Sequence, residues 1–372
     1  MKHSRRSWLK NAGIASAGIV TTAPAFSTNR AFSKYHESEV NGQILLNSNE
    51  NAYGPSQAVI EAINHSVKES NRYPWQTRQV LIDRISKNEG IPSDSIILGA
   101  GSTEILQLAG LAFGARGGKI VSSYPTFPLM MQHASTFDAQ WMKVPLDKDF
   151  SHNLDGLLEA CRDAQLVYFC NPNNPTGTKT DAAELLSFCK KVPSETMIFV
   201  DEAYIEFTAD GISSSLASEV LSMPNLVVAR TFSKIYGLAG LRVGYAYAHP
   251  EIIKQLKRYH IGFEINMPTT SLYAALAAAD DQTFVEMCKK ENSKAKDLIY
   301  EAFDSWGVSY IPSHTSFIYF ETKNFQPELV ATLDKHRISI REYDDQPGYA
   351  RVSMGTIEQV RQFTSTIRQF RL

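Results

Sequence analysis

Short apolar runs alternate along the chain with longer stretches whose apolar residues recur at helical spacing. Leu166-Val167-Tyr168-Phe169, Met197-Ile198-Phe199-Val200, Lys119-Ile120-Val121-Ser122-Ser123 and Asn225-Leu226-Val227-Val228-Ala229 read as short buried strands. Between them lie helical stretches such as Asp181 to Lys191. Strand and helix in alternation predict an α/β protein with a mostly parallel, doubly wound sheet. A boundary falls near Asn266-Met267-Pro268, after which Thr269 to Ala279 is helix-forming and Ser316-Phe317-Ile318-Tyr319-Phe320 offers a strand. The expected organisation is a large domain over residues 71–266 and a smaller α+β domain over 267–372, with 26–70 an arm contributing to the smaller one.

Several predicted strands end in residues that carry chemistry. Ile96-Ile97-Leu98 runs into Gly99-Ala100-Gly101 and then Ser102-Thr103-Glu104, a strand, a tight turn and a helix start that presents free N–H groups to an anion. Glu104 stands where a dinucleotide fingerprint needs a third glycine, and no Gly-Lys-Ser/Thr follows, so neither nucleotide motif fits. Ser102 or Thr103 could instead serve as a helix cap, Ser102 more readily. The run to Phe169 leads into Cys170-Asn171-Pro172-Asn173-Asn174-Pro175-Thr176-Gly177, a turn at the carboxyl end of a strand, where open α/β sheets bind ligands. The run to Val200 delivers Asp201-Glu202-Ala203-Tyr204. A paired-carboxylate or metal role for Asp201 and Glu202 is an alternative, but no His or Cys lies at ligand spacing, and Glu202 and Glu206 read as structural. In Arg230-Thr231-Phe232-Ser233-Lys234-Ile235-Tyr236-Gly237-Leu238-Ala239-Gly240-Leu241-Arg242, Lys234 sits where an amine can be made nucleophilic. Burial, or positive charge such as that of Arg242, lowers a lysine pKa, and the Ser233 hydroxyl can meet a phosphate.

The run from Ser233 to Tyr245 matches Ser-Lys-x-x-Gly-Leu-Ala-Gly-Leu-Arg-x-Gly-Tyr and resembles the lysine motif of the class I/II, fold-type I aminotransferases, nearest to the histidinol-phosphate aminotransferase branch. The resemblance spans about residues 40 to 370. It implies pyridoxal 5'-phosphate as cofactor, bonded to Lys234, with Asp201 against the pyridine nitrogen. Asn174 and Tyr204 would bond the phenolic oxygen, and Ser102, Thr103, Thr231, Ser233 and Arg242 would surround the phosphate. Tyr124-Pro125-Thr126-Phe127 resembles the turn whose aromatic ring, here Phe127, stacks on the pyridine. In Asn71-Arg72-Tyr73-Pro74, Tyr73 would reach the phosphate of a partner subunit, which implies a homodimer. On the substrate side stand Tyr53, in Asn49-Glu50-Asn51-Ala52-Tyr53-Gly54-Pro55-Ser56, together with Arg341 and Arg351; the arginines suit an acidic group. Ala52 in place of proline, Met130 and Met131 after Phe127, and the segment Glu264 to Pro268 depart from the pattern and are expected around the substrate. The implied reaction is amino transfer between an amine and a 2-oxo acid by ping-pong kinetics, with Lys234 moving the α-proton. A decarboxylase of the threonine-phosphate type and an exported, non-catalytic cofactor- or solute-binding protein are the alternatives.

Composition adds location and partners. A formal net charge of -2 and the absence of a basic stripe argue against nucleic acid; Lys254 to Arg258 reads as the polar face of one helix. Ser4-Arg5-Arg6-Ser7-Trp8-Leu9-Lys10, the apolar stretch Ala12 to Val20 and Ala23-Pro24-Ala25 resemble a twin-arginine export signal over residues 1–25. The stretch is far shorter than the roughly 20 residues a bilayer requires, so no stable membrane anchor is expected. A periplasmic or secreted enzyme follows, cofactor-loaded in the cytoplasm before meeting the twin-arginine machinery. Cys161, Cys170, Cys189 and Cys288 lack metal or redox spacing and read as buried thiols; His133, His152 and His260 read as packed or surface residues.

Overall fold

A computed structural model describes residues 39–40, 42–260 and 264–372. The export-like segment lies outside the described residues. In chain order, β1 (Glu39–Val40) and β2 (Gln43–Leu45) precede β3 (Ile96–Gly99), β4 (Lys119–Tyr124), β5 (Gln140–Pro145), β6 (Leu166–Cys170) and β7 (Met197–Asp201). Then come β8 (Leu226–Thr231), β9 (Gly244–Ala248), β10 (Tyr310–Ile311), β11 (Phe317–Glu321), β12 (Ile338–Ser339), β13 (Arg341–Glu342) and β14 (Tyr349–Ser353).

Seven of these form one sheet in the order β3-β9-β8-β7-β6-β4-β5, parallel except for β9, which runs antiparallel to both neighbours. The apolar runs explain this core. Every residue of β6, β7 and β8 is buried, and successive side chains feed opposite faces: Val167, Phe169, Ile198, Val200 and Val228 enter one cluster, whereas Leu166, Tyr168, Met197, Phe199 and Val227 enter the other. Helices cover both faces, as a parallel sheet requires. Helix Gln57–Ser66, capped by the Ser56 hydroxyl, packs on helix Thr269–Asp280.

A four-stranded antiparallel sheet, β10-β11-β14-β13, and a three-stranded one, β1-β2-β12, have their own core, with Phe303, Phe320 and Phe363 at its centre. There β2 pairs in parallel with β12, tying the segment before Asn47 to the C-terminal part of the chain. The fold is that of the α/β fold-type I enzymes expected from the sequence.

His152 is a packed core residue. Its ring lies 4.0 Å from that of Phe169, with Nδ1 2.6 Å from Ser123 Oγ and Nε2 3.1 Å from the Cys170 carbonyl. Burial lowers its pKa to about 4, so it is neutral at pH 7. All four cysteines are buried free thiols. Among the described residues no helix is long and apolar enough to cross a membrane.

Candidate active site

The carboxyl ends of β4, β6, β7 and β8 open into a cavity of about 810 Å³. Asp201, the last residue of β7, lies at its base and is 2% exposed. Its Oδ2 accepts from the Tyr168 hydroxyl at 2.9 Å and its Oδ1 from the Ala203 N–H at 3.2 Å. Burial raises its pKa to about 6, against the pull of those two donors and of Lys234. A carboxylate so placed calls for a cationic partner from the cavity side.

The opposite wall is built for an anion. Helix Ser102–Ala109 begins after Gly101 with no side-chain cap, so neither the Ser102 nor the Thr103 hydroxyl caps it and its first N–H groups stay available. Glu104 closes the loop instead, accepting from the Ala100 N–H at 2.7 Å and from Asn266 Nδ2 at 2.7 and 2.8 Å. Arg242, itself left-handed at φ 54°, holds its guanidinium between the Ala239 carbonyl at 2.9 Å and Thr103 Oγ1 at 3.0 Å. Two glycines make room. A Cβ on Gly101, at φ +75°, would sit 2.3 Å from Arg242 Nη2, and one on Gly244 would sit 2.2 Å from the Ser102 backbone nitrogen. Thr231 Oγ1 donates to Ser233 Oγ at 3.0 Å and accepts from the Ser233 N–H at 3.1 Å, fixing both residues on this wall.

Lys234 lines the cavity between these two features, with Nζ 3.3 Å from the Ser48 carbonyl. Its pKa falls to about 8: burial contributes most, then the charge of Arg351, while Glu50 and Asp201 oppose and Arg242 adds the least. The sequence suggested Arg242 as the nearby charge; Arg351 exerts the larger effect. At neutral pH a useful fraction of Lys234 is the free amine.

Tyr204 and Asn174 are oriented by residues distant in sequence. Asn49, 2% exposed, donates from Nδ2 to the Tyr204 hydroxyl oxygen at 2.8 Å, leaving the phenolic hydrogen to donate into the cavity. Arg351 Nη1 donates to Asn174 Oδ1 at 2.5 Å and Nη2 to the Asn47 carbonyl at 2.7 Å, so Asn174 keeps its Nδ2 hydrogens. The guanidinium is 6% exposed and, among the described residues, has no carboxylate partner, and its Nε has no hydrogen-bond partner at all. Arg341 is exposed on the rim, its guanidinium and that of Arg351 each 5.8 Å from the Tyr343 ring centre. Phe127 lines the cavity, and Lys143 lies over the rings of Tyr124 and Trp141 at 4.1 and 4.3 Å.

Twelve of the fourteen expected site residues therefore line one cavity. Tyr53 lines a separate cavity of about 20 Å³ that Lys234 also borders, and Tyr73 is 76% exposed on the surface. Two departures lie elsewhere than expected. Met130 and Met131 are fully buried in the sheet's core, because the helix Leu129–Ser135 turns Leu129 and Gln132 to the cavity instead. Glu264 pairs with Arg78 and with Lys257 at 2.9 Å. Asn49 and Tyr168 had no assigned role; a hydroxyl in an otherwise apolar strand is the one signal that marks Tyr168.

A buried carboxylate facing an uncapped helix start across the cavity, with an amine of lowered pKa between, fits pyridoxal phosphate at both ends: Asp201 for its ring nitrogen, Ser102, Thr103, Ser233 and Arg242 for its phosphate. This defines a pyridoxal-phosphate enzyme of fold type I. The chain belongs to the aminotransferase class I and II family, whose model matches residues 41–367. It is 36% identical over 319 residues to the histidinol-phosphate aminotransferase of Bacillus subtilis subsp. natto, covering 85% of this chain and 88% of that one. It is 35% identical over 330 residues to that of Moorella thermoacetica, covering 88% and 85%. The crystal structure of histidinol-phosphate aminotransferase from Sinorhizobium meliloti in complex with pyridoxal-5'-phosphate superposes with a TM-score of 0.83 over 95% of this chain and 98% of that one, at 24% identity. The protein is thus a transaminase that uses pyridoxal phosphate; its family and relatives favour neither the decarboxylase nor the non-catalytic alternative.

Proposed function

We propose that the enzyme moves an amino group from a small amine bearing an acidic group, carboxylate or phosphate, to a 2-oxo acid by ping-pong kinetics, and that histidinol phosphate is the first donor to test. The observation that carries this is Arg351, a buried guanidinium on the cavity wall without a carboxylate partner. Its two bonded nitrogens hold Asn174 and the Asn47 carbonyl, and Nε remains to receive an acid. The relatives' names support the choice of donor.

When bound, pyridoxal phosphate supplies a ring that accepts the electron pair left behind as the substrate's Cα–H bond breaks. Asp201 keeps negative charge against the ring nitrogen, which strengthens that electron demand. Lys234 Nζ, as a free amine, takes the α-proton and returns it across the site. Tyr204, whose hydrogen is left free by Asn49, and Asn174, whose Oδ1 is taken by Arg351, would donate to the phenolic oxygen, and Arg351 would hold the acidic end of the substrate. Replacing Arg351 with alanine is expected to lower kcat/KM for acidic donors about 100-fold, roughly the 3 kcal/mol of a charge-assisted pair, mostly through KM. Steady-state kinetics with glutamate, histidinol phosphate and their neutral analogues checks this; equal losses for neutral donors would refute the role.

A homodimer is part of this reading. Val67, Tyr73, Trp75 and Val80 are between 45% and 76% exposed on neighbouring parts of the chain, a large apolar surface to leave in water. Tyr73 has a catalytic use only if it reaches a second copy's cavity. Sedimentation at micromolar concentration is expected to give a dimer; a monomer with full activity would overturn it. We propose that the enzyme is periplasmic or secreted after twin-arginine export. Fractionation is expected to show wild type outside the cytoplasm and the variant with both Arg5 and Arg6 changed to lysine retained within; the opposite pattern ends that assignment.

A further inference from the structure

Phe232 and Tyr236 flank the catalytic lysine in sequence yet line a different cavity, one of about 540 Å³ on the other side of the same turn. Its remaining walls come from the end of helix Trp75–Glu89, the segment around Glu206 and Ile212, Tyr245 of β9, and the junction of helices Thr269–Asp280 and Gln282–Trp306. The volume falls in the range of small-molecule sites.

Five carboxylates line it, and four have cationic partners. Glu89 receives Arg230 Nη1 at 2.7 Å, Asp210 pairs with Lys179 at 2.6 Å, Asp280 with Arg84, and Glu286 lies 3.6 Å from Lys289. Glu206 is the exception. It is 5% exposed, and its Oε1 has no partner. Arg230, whose charge acts on Glu206, is held at Nε by Glu202 at 3.1 Å and at Nη1 by Glu89, while its buried Nη2, like Glu206 Oε1, has no hydrogen-bond partner. Burial pushes the Glu206 carboxyl up to about 7, with the Arg230 charge pulling it back. Carboxylates are buried at this depth with a partner. The one lysine or arginine that lines the cavity, Lys289, lies against Glu286, and the cavity offers three aromatic rings, those of Phe232, Tyr236 and Tyr245.

A carboxylate oxygen beneath aromatic walls is the arrangement that recognises an organic cation. We propose that this cavity binds a small molecule with an ammonium or guanidinium head on a short apolar stem, the head donating to Glu206 Oε1 and the stem packing on Phe232, Tyr236 and Tyr245. An anion would meet five carboxylates against the single Lys289 of the lining, and among the described residues no cluster of three His, Cys, Asp or Glu can hold a metal ion. The site is independent of the transaminase reading. It lies behind the turn that carries Ser233 and Lys234, so a bound cation abuts the backbone that positions the catalytic amine.

The test is calorimetric titration of the cofactor-loaded enzyme with methylguanidinium, which has no primary alkylamine to condense with the cofactor. Saturable binding at one site per chain is expected, weakened tenfold or more in Glu206→Gln and unchanged in Arg351→Ala. Ile212, 48% exposed at the cavity edge, gives a second variant that leaves the buried cluster intact: Ile212→Lys is expected to weaken binding to a similar degree by charge and bulk. Absence of saturable binding to wild type, or equal binding to wild type and Ile212→Lys, would overturn the proposal. So would equal binding to Glu206→Gln, or loss in Arg351→Ala alone, which would place the cation in the active site.

Discussion

Changing Lys234 to alanine is expected to lower kcat/KM by about 10⁴-fold or more, the scale of losing a positioned acid/base that is also the covalent attachment point. The same variant should still bind pyridoxal phosphate, because the phosphate wall and Asp201 do not depend on the lysine side chain. A small added amine such as methylamine is expected to restore part of the rate, since the cavity left by the side chain admits it and the missing function is a single basic nitrogen. Steady-state kinetics with and without the amine measures both effects. A variant retaining a tenth of wild-type activity would remove Lys234 from the mechanism.

The second large effect belongs to Asp201. Asparagine in its place keeps the shape and can still accept from the Ala203 N–H, its Nδ2 donating to the Tyr168 hydroxyl oxygen in reversed polarity, but it withdraws the charge, and a drop in kcat of about 10² to 10³-fold is expected, the range for removing one preorganised electrostatic group. The carboxyl also leaves a signature in the cofactor-free protein. Its pKa rises from 3.8 to about 6 on folding, chiefly by burial, so folding favours the neutral form relative to the unfolded chain while the carboxylate still prevails at pH 7. The resulting stabilisation is present below pH 4 and is lost as pH rises through about 6, a change of about 3 kcal/mol at most. Denaturant unfolding of the cofactor-free enzyme between pH 4 and 7 is expected to show that decline as the difference between wild type and Asp201→Asn, since Glu206 and His152 titrate alike in both. Bound cofactor would reverse it, because a cationic ring nitrogen against Asp201 would favour the carboxylate. Parallel curves for the two proteins would separate Asp201 from the proposed charge pairing.

Much of this site is legible in the sequence, and the reason is topological. β6, β7 and β8 are apolar on both faces, so their ends are visible in the sequence, and a parallel sheet gathers those ends on one edge. Asp201 ends β7, and Asn174 and Lys234 follow β6 and β8 within a few residues, so the three converge. What escaped notice depends on contacts across the chain. Asn49 reaches Tyr204 across 155 positions, and Arg351 reaches Asn174 across 177. The parallel pairing of β2 with β12 joins strands of three and two residues, too short to show a period. Met130 and Met131 were expected near the substrate because they follow Phe127 closely, but a seven-residue helix separates its two faces within one turn, and the apolar pair goes to the core. The cavity behind the lysine turn was invisible for the same reason: Glu206, Tyr236 and Asp280 come together only in the folded chain.

The most direct test of the account is a single half-reaction. Purified enzyme loaded with pyridoxal phosphate is mixed with one candidate donor and no oxo acid, and the carbonyl product, the cofactor and released carbon dioxide are quantified. The account predicts one equivalent of carbonyl product per active site, an equal amount of cofactor recovered in its aminated form, and no carbon dioxide; adding a 2-oxo acid should restore the starting cofactor. Carbon dioxide release with the cofactor unchanged would contradict amino transfer and make the chain a decarboxylase.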